Sequence, residues 1–276
     1  MNGLDSIPGA AKLRDTVVWR RLRHRISLLV DPRTNSHFTG FLRLPTQFEA
    51  LVGPVVSSLE ERRNGSLLSI CILGCSNGAE AYTVASLIRR RHPELPFTVR
   101  GYDIDAACVE QAKTARYSHD EIFNNKIMTQ DFVEWTFDRD GESYRVKPRI
   151  AEHVEFAVGD VLSSDLQRKI GTHDIIFAQN FLFHLKPALA RNALENISRL
   201  VRPGSALFLD GVDINQRRNF VRKKGFTPLD HEIERIHNEA RRARAVGWPY
   251  SYWGLEPFLT TRRDWRARYA TIFIAP

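Results

Sequence analysis

The stretch from Leu67 to Ile88 constrains this chain most. A continuous apolar run, Leu67–Leu73, enters the turn Gly74-Cys-Ser-Asn-Gly78, and a helical pattern with Ala81, Val84, Ala85, Leu87 and Ile88 follows directly. A strand with no polar face has to be covered on both sides, and a glycine turn leading straight into a helix is how a parallel strand starts its crossover. The alternation continues downstream. Phe97–Tyr102 reads as a second strand closed by Asp103-Ile104-Asp105, with a helix over 106–116. Val154–Val158, Asp174–Ala178 and Ala206–Leu209 read as further buried strands, with a helix at 187–201 between the last two. The pattern predicts an α/β fold: a parallel, Rossmann-like sheet with helices on both faces.

Two segments break the alternation. Within 120–150, Phe132–Phe137, Asp140-Gly141 and Tyr144–Val146 read as a small antiparallel β insert around an Asp-Gly turn. Further on, Thr227-Pro228 is expected to open a helix to about Ala245, followed by the aromatic loop Gly247–Pro257 and a last strand, Tyr269–Ile274. Upstream, 12–30 reads as an amphipathic basic helix ended by Asp31-Pro32, and Thr46–Arg63 as a second helix. The expected organisation is a basic N-terminal cap, 1–36, and one domain, 37–276. That domain carries the β insert at about 120–150 and a C-terminal helix with an aromatic lid at about 215–262.

Composition excludes several classes. With 276 residues, 43% hydrophobic and 26% charged, the chain is an ordinary globular one rather than disordered or fibrous. No apolar run reaches the roughly 18 residues of a membrane span, and the start lacks the charged-then-apolar order of a signal peptide. Cys71, Cys75 and Cys108 form no CxxC pair, so a reduced cytoplasmic protein is expected. His231 and His237 have no ligand spacing with a cysteine or a paired histidine, so no metal is assigned. The net charge of +8 is uneven: segments 1–33 and 215–268 together carry +11 and the rest −3. Such flanks either meet an anionic partner or are simply solvated helix faces. Nucleic acid is not expected, because no zinc-finger, helix-turn-helix or RNP pattern accompanies the charge.

Ligands of open α/β sheets bind beyond the carboxyl ends of the strands. There the Gly74–Gly78 turn admits close backbone approach, and Asp103, 29 residues past Gly74, is placed to accept two hydrogen bonds from a ribose diol. Turns of this kind also serve NAD enzymes, and a strand-terminal acid also serves as a helix cap. Two absences narrow the choice, since the chain has neither GxGxxG nor GxxxxGK[ST]. Glu80 in the first helical turn would repel a phosphate and suits a cation, although it also pairs favourably with the helix dipole. S-adenosylmethionine has a ribose diol, an adenine, an ammonium and a sulfonium, and no phosphate.

These residues also resemble a known family. Thr39-Gly-Phe-Leu-Arg43 with Gln47-Phe48 is similar to the TxFFR…F segment of the chemotaxis-receptor (CheR-type) methyltransferases. Gly74–Tyr82 resembles their (S/T)GEEPYS stretch, Tyr102–Asp105 their SDID, and Val154–Leu162 their VxFxxxNLL. Asp174–Asn180 is similar to FDxIxCRN, and Leu200–Gly204 to LxPGG; the β insert falls where the family carries its β-subdomain. The resemblance, over roughly 37–210, implies a class I methyltransferase fold and the cofactor S-adenosylmethionine, leaving as S-adenosylhomocysteine. It implies that Thr39, Arg43, Gly74, Glu80, Asp103, Ile104, Asp160, Val161, Asn180 and Phe181 surround that cofactor. Glu80 would face its methionine end, Asp103 the ribose, Asp160 with Val161 the adenine, and Arg43 the transferred methyl or the acceptor.

Departures from the family pattern bear on the acceptor. The family's N-terminal helical domain is longer than the 36 residues before His37; Asp210-Gly-Val-Asp213 replaces its GHSE; His184 replaces an expected tyrosine; and its short C-terminal hairpin becomes about sixty residues. His184 is therefore either the proton acceptor of the reaction or a structural histidine. Trp248, Tyr252 and Trp253, with Tyr250 and Phe258, either line an acceptor pocket or pack the C-terminal segment onto the body. The expected function is methyl transfer to an O or N nucleophile of a small or non-receptor acceptor. The alternatives are a protein-glutamate O-methyltransferase docking an acidic protein partner, a cofactor-sensing module without turnover and, more distantly, an NAD oxidoreductase.

Overall fold

The computed structural model describes residues 39–63, 65–123, 127–244 and 256–276. The expected basic helix over 12–30 lies outside them, as do Trp248, Tyr250, Tyr252 and Trp253. Among the described residues ten strands are formed: β1 Leu68–Leu73, β2 Phe97–Asp103, β3 Arg116–Ser118, β4 Phe137–Asp140, β5 Ser143–Val146, β6 Val154–Val158, β7 His173–Gln179, β8 Val201–Asp210, β9 Thr227–Pro228 and β10 Ile272–Ile274. Seven of them build one sheet in the order β6-β2-β1-β7-β8-β10-β9, parallel throughout except for β10, which is antiparallel to both its neighbours. The other three make a small antiparallel sheet, β3-β5-β4; β4 and β5 fall within the expected insert, whereas β3 lies before residue 120, in a stretch expected to end a helix.

Burial follows from the apolar runs. Every residue of β7 is buried, as are five of the six in β1. Alternate side chains feed two cores, as the period of two in a strand demands. Ile70, Ile72, Phe177 and Phe208 share one core with residues of the helix Ala79–Arg91, of the insert and of the segment 48–59, whereas Cys71, Leu73, Ile176 and Leu209 share the other with the helices Pro187–Ser198 and Ile214–Lys223. Phe177 and Phe208 stack across adjacent strands with ring centroids 4.2 Å apart. The chain builds outward from β1 to β2 and β6, then returns to lay β7 on the other side of β1. That reversal opens a crevice at the carboxyl ends of β1 and β7. No helix among the described residues is long and apolar enough to cross a membrane.

Several local expectations are corrected. Phe132–Thr136 is not strand: Gln130–Thr136 is a helix whose Phe132, Val133 and Thr136 share a buried face, and the Thr129 hydroxyl accepts from Phe132 N–H at 3.3 Å. A run of apolar residues this short fits either period, and the cap decided it. Thr227-Pro228 does not open a helix but pairs with β10 at the sheet edge, where a missing N–H does no harm; the helix is Ile233–Arg244. The helix expected over 46–63 is broken at Gly53-Pro54, where Gly53 leaves helical geometry (φ −93°, ψ −108°). Ala115, at φ +53°, ends the helix Ala106–Thr114, which was expected to reach 116. The last strand starts at Ile272, because Trp265–Tyr269 closes as a helical turn. Phe258, expected in the lid or in the packing, packs: its ring lies 4.9 Å from Tyr269 and 5.7 Å from Trp265.

One buried ion pair ties the C-terminal segment to the sheet. Arg217 is fully buried on the helix after β8 and donates to Asp210 Oδ1 (3.1 Å), Leu209 O (3.3 Å) and Arg268 O (2.9 Å). Removing the cation strands a buried carboxylate, which typically costs about 3–5 kcal/mol. Arg217→Leu is therefore expected to lower unfolding stability by about that amount in urea titration. A loss under about 1 kcal/mol would show that Asp210 does not depend on it.

Candidate active site

The crevice at the strand tips holds a cleft of about 950 Å³, open mouth included. Its floor is the turn after β1. Gly74 has φ +67°, and a Cβ there would sit 2.7 Å from the Phe181 ring, so only glycine lets the ring lie against the loop. Gly78, at φ +86°, starts the helix Ala79–Arg91 and puts Glu80 in its first turn.

Asp103 fastens this turn to the next one. Its Oδ2 accepts from Ser76 N–H at 2.8 Å and its Oδ1 from Asp105 N–H at 3.0 Å. Asp105, not Asp103, caps the following helix by accepting from Ala107 N–H at 2.8 Å. Each Asp103 oxygen keeps a lone pair beyond its backbone partner, and the residue lines the cleft. After β6, Asp160 Oδ1 accepts from Leu162 N–H (2.9 Å), while the Asn196 amide holds Val161 O (2.9 Å). These two bonds fix the wall formed by Gly159, Asp160 and Val161.

After β7 the backbone turns sharply. Asn180 stands at φ +60°, a region that asparagine tolerates and most residues do not, and its N–H donates to Asp210 O at 3.2 Å. Gly211 (φ +69°) packs on it so closely that a Cβ would come within 2.6 Å of Asn180 Cα. A helical turn, Leu182–His184, then brings the half-buried His184 to the cleft, its ring 4.0 Å from Phe183.

Thr39, Arg43, Gly74, Glu80, Asp103 and Ile104 all border this one cleft, as do Asp160, Val161, Asn180, Phe181 and His184. Sequence reasoning missed Gln179. Its amide donates to Gln47 Oε1 at 2.7 Å, and Gln47 in turn donates to Thr271 Oγ1 at 2.7 Å. The available signal was its place at the tip of a central strand, next to Asn180.

The lining is acidic. Glu80, Asp103 and Asp160 face a single guanidinium among the described residues, that of Arg43. Burial pushes the Glu80 carboxyl up to about 7, and Arg43 pulls it partly back. A carboxylate so poised gains most from a cationic ligand.

Residues 37–223 match the family described as CheR methyltransferase, SAM binding domain. A probable biofilm formation methyltransferase WspC of Pseudomonas putida is 29% identical over 192 residues, 69% of this chain and 44% of that protein. Its Pseudomonas aeruginosa counterpart is 25% identical over 207 residues, 75% of this chain and 48% of that protein. Chemotaxis protein methyltransferase 2 of Vibrio cholerae is 28% identical over 176 residues, 62% and 60% respectively. The chain thus spans about half the length of the curated relatives it matches.

Glu80 makes the ligand-free protein sensitive to pH. Its folded value, about 7, lies above the ordinary 4.5, so the folded state holds the proton more tightly than the unfolded state. Its contribution to stability is present below pH 4.5 and is lost as pH rises towards 7. Glu80→Gln is expected to flatten that fall and to stabilise the ligand-free protein at pH 8 by up to about 3 kcal/mol relative to wild type. Denaturant unfolding at pH 5 and pH 8 checks it, and equal stability of the two proteins at both values would reject it.

Proposed function

The chain belongs to the CheR methyltransferase family, and from that premise we propose that it is an S-adenosylmethionine-dependent methyltransferase acting on a small or non-receptor O or N nucleophile. The observation that carries the cofactor side is the set of three carboxylates, Glu80, Asp103 and Asp160, around the glycine turn. In this reading Glu80 holds the ammonium end of the cofactor, Asp103 the ribose diol, and Asp160 with Val161 the adenine. Gly74 lets the backbone come close, and Ile104 and Phe181 supply the apolar walls. Thr39, Arg43 and Asn180 surround the reacting end.

When bound, the cofactor supplies an electrophilic methyl on a sulfonium. The residues of this chain then have to align an acceptor behind that methyl, exclude water and, for a hydroxyl or ammonium acceptor, remove one proton. His184 borders the cleft with Asn180 and would take that proton from an acceptor held there. Arg43 orients the acceptor. The lean to a small or non-receptor acceptor is supported by the acidic lining, which disfavours an anion, and by His184 where the family pattern has a tyrosine.

The relatives' names favour a second reading. One is named a chemotaxis protein methyltransferase, which suits a protein-borne carboxylate paired with Arg43 and needing no base. Labelled cofactor with a metabolite extract, and separately with receptor-containing membranes, separates the two. Label confined to receptor glutamates would reject the first reading.

The cofactor assignment has its own test. S-adenosylhomocysteine is expected to raise the melting temperature, and Asp103→Ala to abolish that rise. Its affinity should climb about tenfold between pH 6 and pH 8 as Glu80 ionises, and Glu80→Gln should remove the slope. No binding at either pH would sink the assignment.

A further inference from the structure

The arm that bears Arg43 is clamped from both ends. At its start Phe41 is fully buried, with ring centroids 4.9 Å from Tyr117 and 5.1 Å from Phe137 of the insert. In its middle Leu42 is held at φ +49°, a costly conformation for a leucine that persists only where the surroundings enforce it. At its end begins the helix Pro45–Ala50, whose N-cap is Leu44, a residue with no side-chain acceptor. Pro45 has no N–H to satisfy, and Gln47 and Phe48 donate back to Leu44 O at 3.0 and 3.1 Å. The Thr46 N–H and hydroxyl remain, on a residue that is fully buried.

Both are taken by one carboxylate from the far end of the chain. Glu239, on the helix Ile233–Arg244, accepts the Thr46 N–H through Oε2 at 3.1 Å and the Thr46 hydroxyl through Oε1. Ile233, Ile236 and Ala240 are buried and seat that helix; Arg235, 3.7 Å from Glu239 and 3.4 Å from Glu49, is shared between the two carboxylates. The adjacent Gln47 bonds Thr271, again from the C-terminal segment, and Gln179 in the cleft. Glu239 and Thr271 both lie beyond residue 223, where the family match ends.

We propose that Glu239 is a positioning residue for the cleft: by capping Thr46 it holds the strained Phe41–Leu44 arm in place and keeps Arg43 at the cleft wall. The inference deepens the cofactor reading above and rests on it for its functional meaning. Cutting the cap leaves two buried donors without their acceptor; the arm then relaxes at Leu42 and Arg43 withdraws.

The readout is the ionisation of Glu80 in the ligand-free full chain, followed by side-chain carbon-13 shifts and assigned with Glu80→Gln. Arg43, Asp103, Asp160 and His184 share the cleft with Glu80, and of these Arg43 is the group that lowers its midpoint. Glu239→Ala is expected to raise the Glu80 midpoint by roughly half a pH unit or more, in the same direction as Arg43→Ala. Glu239→Gln, which keeps one acceptor for Thr46 N–H and the shape of the side chain, should raise it less, and it supplies the measurement if the alanine variant does not fold. Glu239→Ala added to Arg43→Ala should shift it no further. A midpoint unmoved in both Glu239 variants, whether or not Arg43→Ala moves it, would overturn the proposal. Binding of S-adenosylhomocysteine to the wild type is measured separately, so the cofactor reading fails or stands on its own result.

Discussion

The Asp103 carboxylate is the interaction on which the cleft depends. It sits at the tip of β2, nearly buried, and draws the N–H of Ser76 from one turn and that of Asp105 from the next. Burying a carboxylate is costly unless its oxygens are met by donors, and two backbone N–H groups meet them here at no side-chain entropy. The turn after β1 in turn fixes Gly74 under Phe181, so one acid registers three strand tips. On the proposed reading, the capping of the next helix by Asp105 rather than Asp103 matters because it leaves the remaining lone pairs of Asp103 to the cofactor.

The opposite end of the sheet is polar as well, with a different outcome. At the amino ends of β1 and β7, Ser69 N–H donates to Asp174 Oδ2 (2.8 Å), the Ser69 hydroxyl meets His173 Nδ1 (2.7 Å), and Arg202 reaches Asp174 Oδ1 (3.0 Å). A serine, a histidine and an aspartate in contact would suggest a nucleophile. His173, however, is fully buried, and burial pushes its imidazole down to about 4, so it stays neutral and inaccessible. These groups staple strand starts together. His184 is the contrasting case, since it borders the open cleft rather than the closed end of the sheet. Position in the fold, more than residue type, separates a histidine sealed within the sheet from one that borders the cleft.

What the sequence made legible was whatever has a one-dimensional signature. The buried strands, the glycine turn and the acids at the strand tips follow from apolar runs and from what interrupts them. The errors fell where two periods fit equally well, as at Phe132–Thr136, or where a tertiary partner overrode a local signal, as at Thr227-Pro228, which β10 recruits into the sheet. Gln47, Gln179 and Thr271 were invisible as a group because they are 132 and 224 residues apart along the chain, and no spacing rule joins them. Arg217 escaped for a related reason. Counted as part of a basic flank, it is the most deeply buried cation among the described residues, and its charge is spent on Asp210 rather than on solvent or a partner.

That correction changes how the basic C-terminal segment is understood. Arg217 and Arg268 are buried in ion pairs with Asp210 and Glu256, Arg218 is matched by Asp264 and Arg266 by Asp230, and Arg235 is shared between Glu49 and Glu239. Part of the positive charge counted in the C-terminal flank is therefore spent on carboxylates of the same chain, with Arg217 and Arg268 buried in the process. Within the cleft the balance runs the other way, with three carboxylates against Arg43. On the proposed reading a cofactor of net charge +1 leaves that lining still acidic, and Arg43 is already drawn towards Glu80. An anionic acceptor would have to compete with Glu80 for the same guanidinium, whereas a neutral or cationic nucleophile would not. The competition relaxes once the cofactor ammonium satisfies Glu80, which ties the order of binding to the charge of the acceptor: the more anionic the acceptor, the more its affinity must depend on the cofactor having bound first.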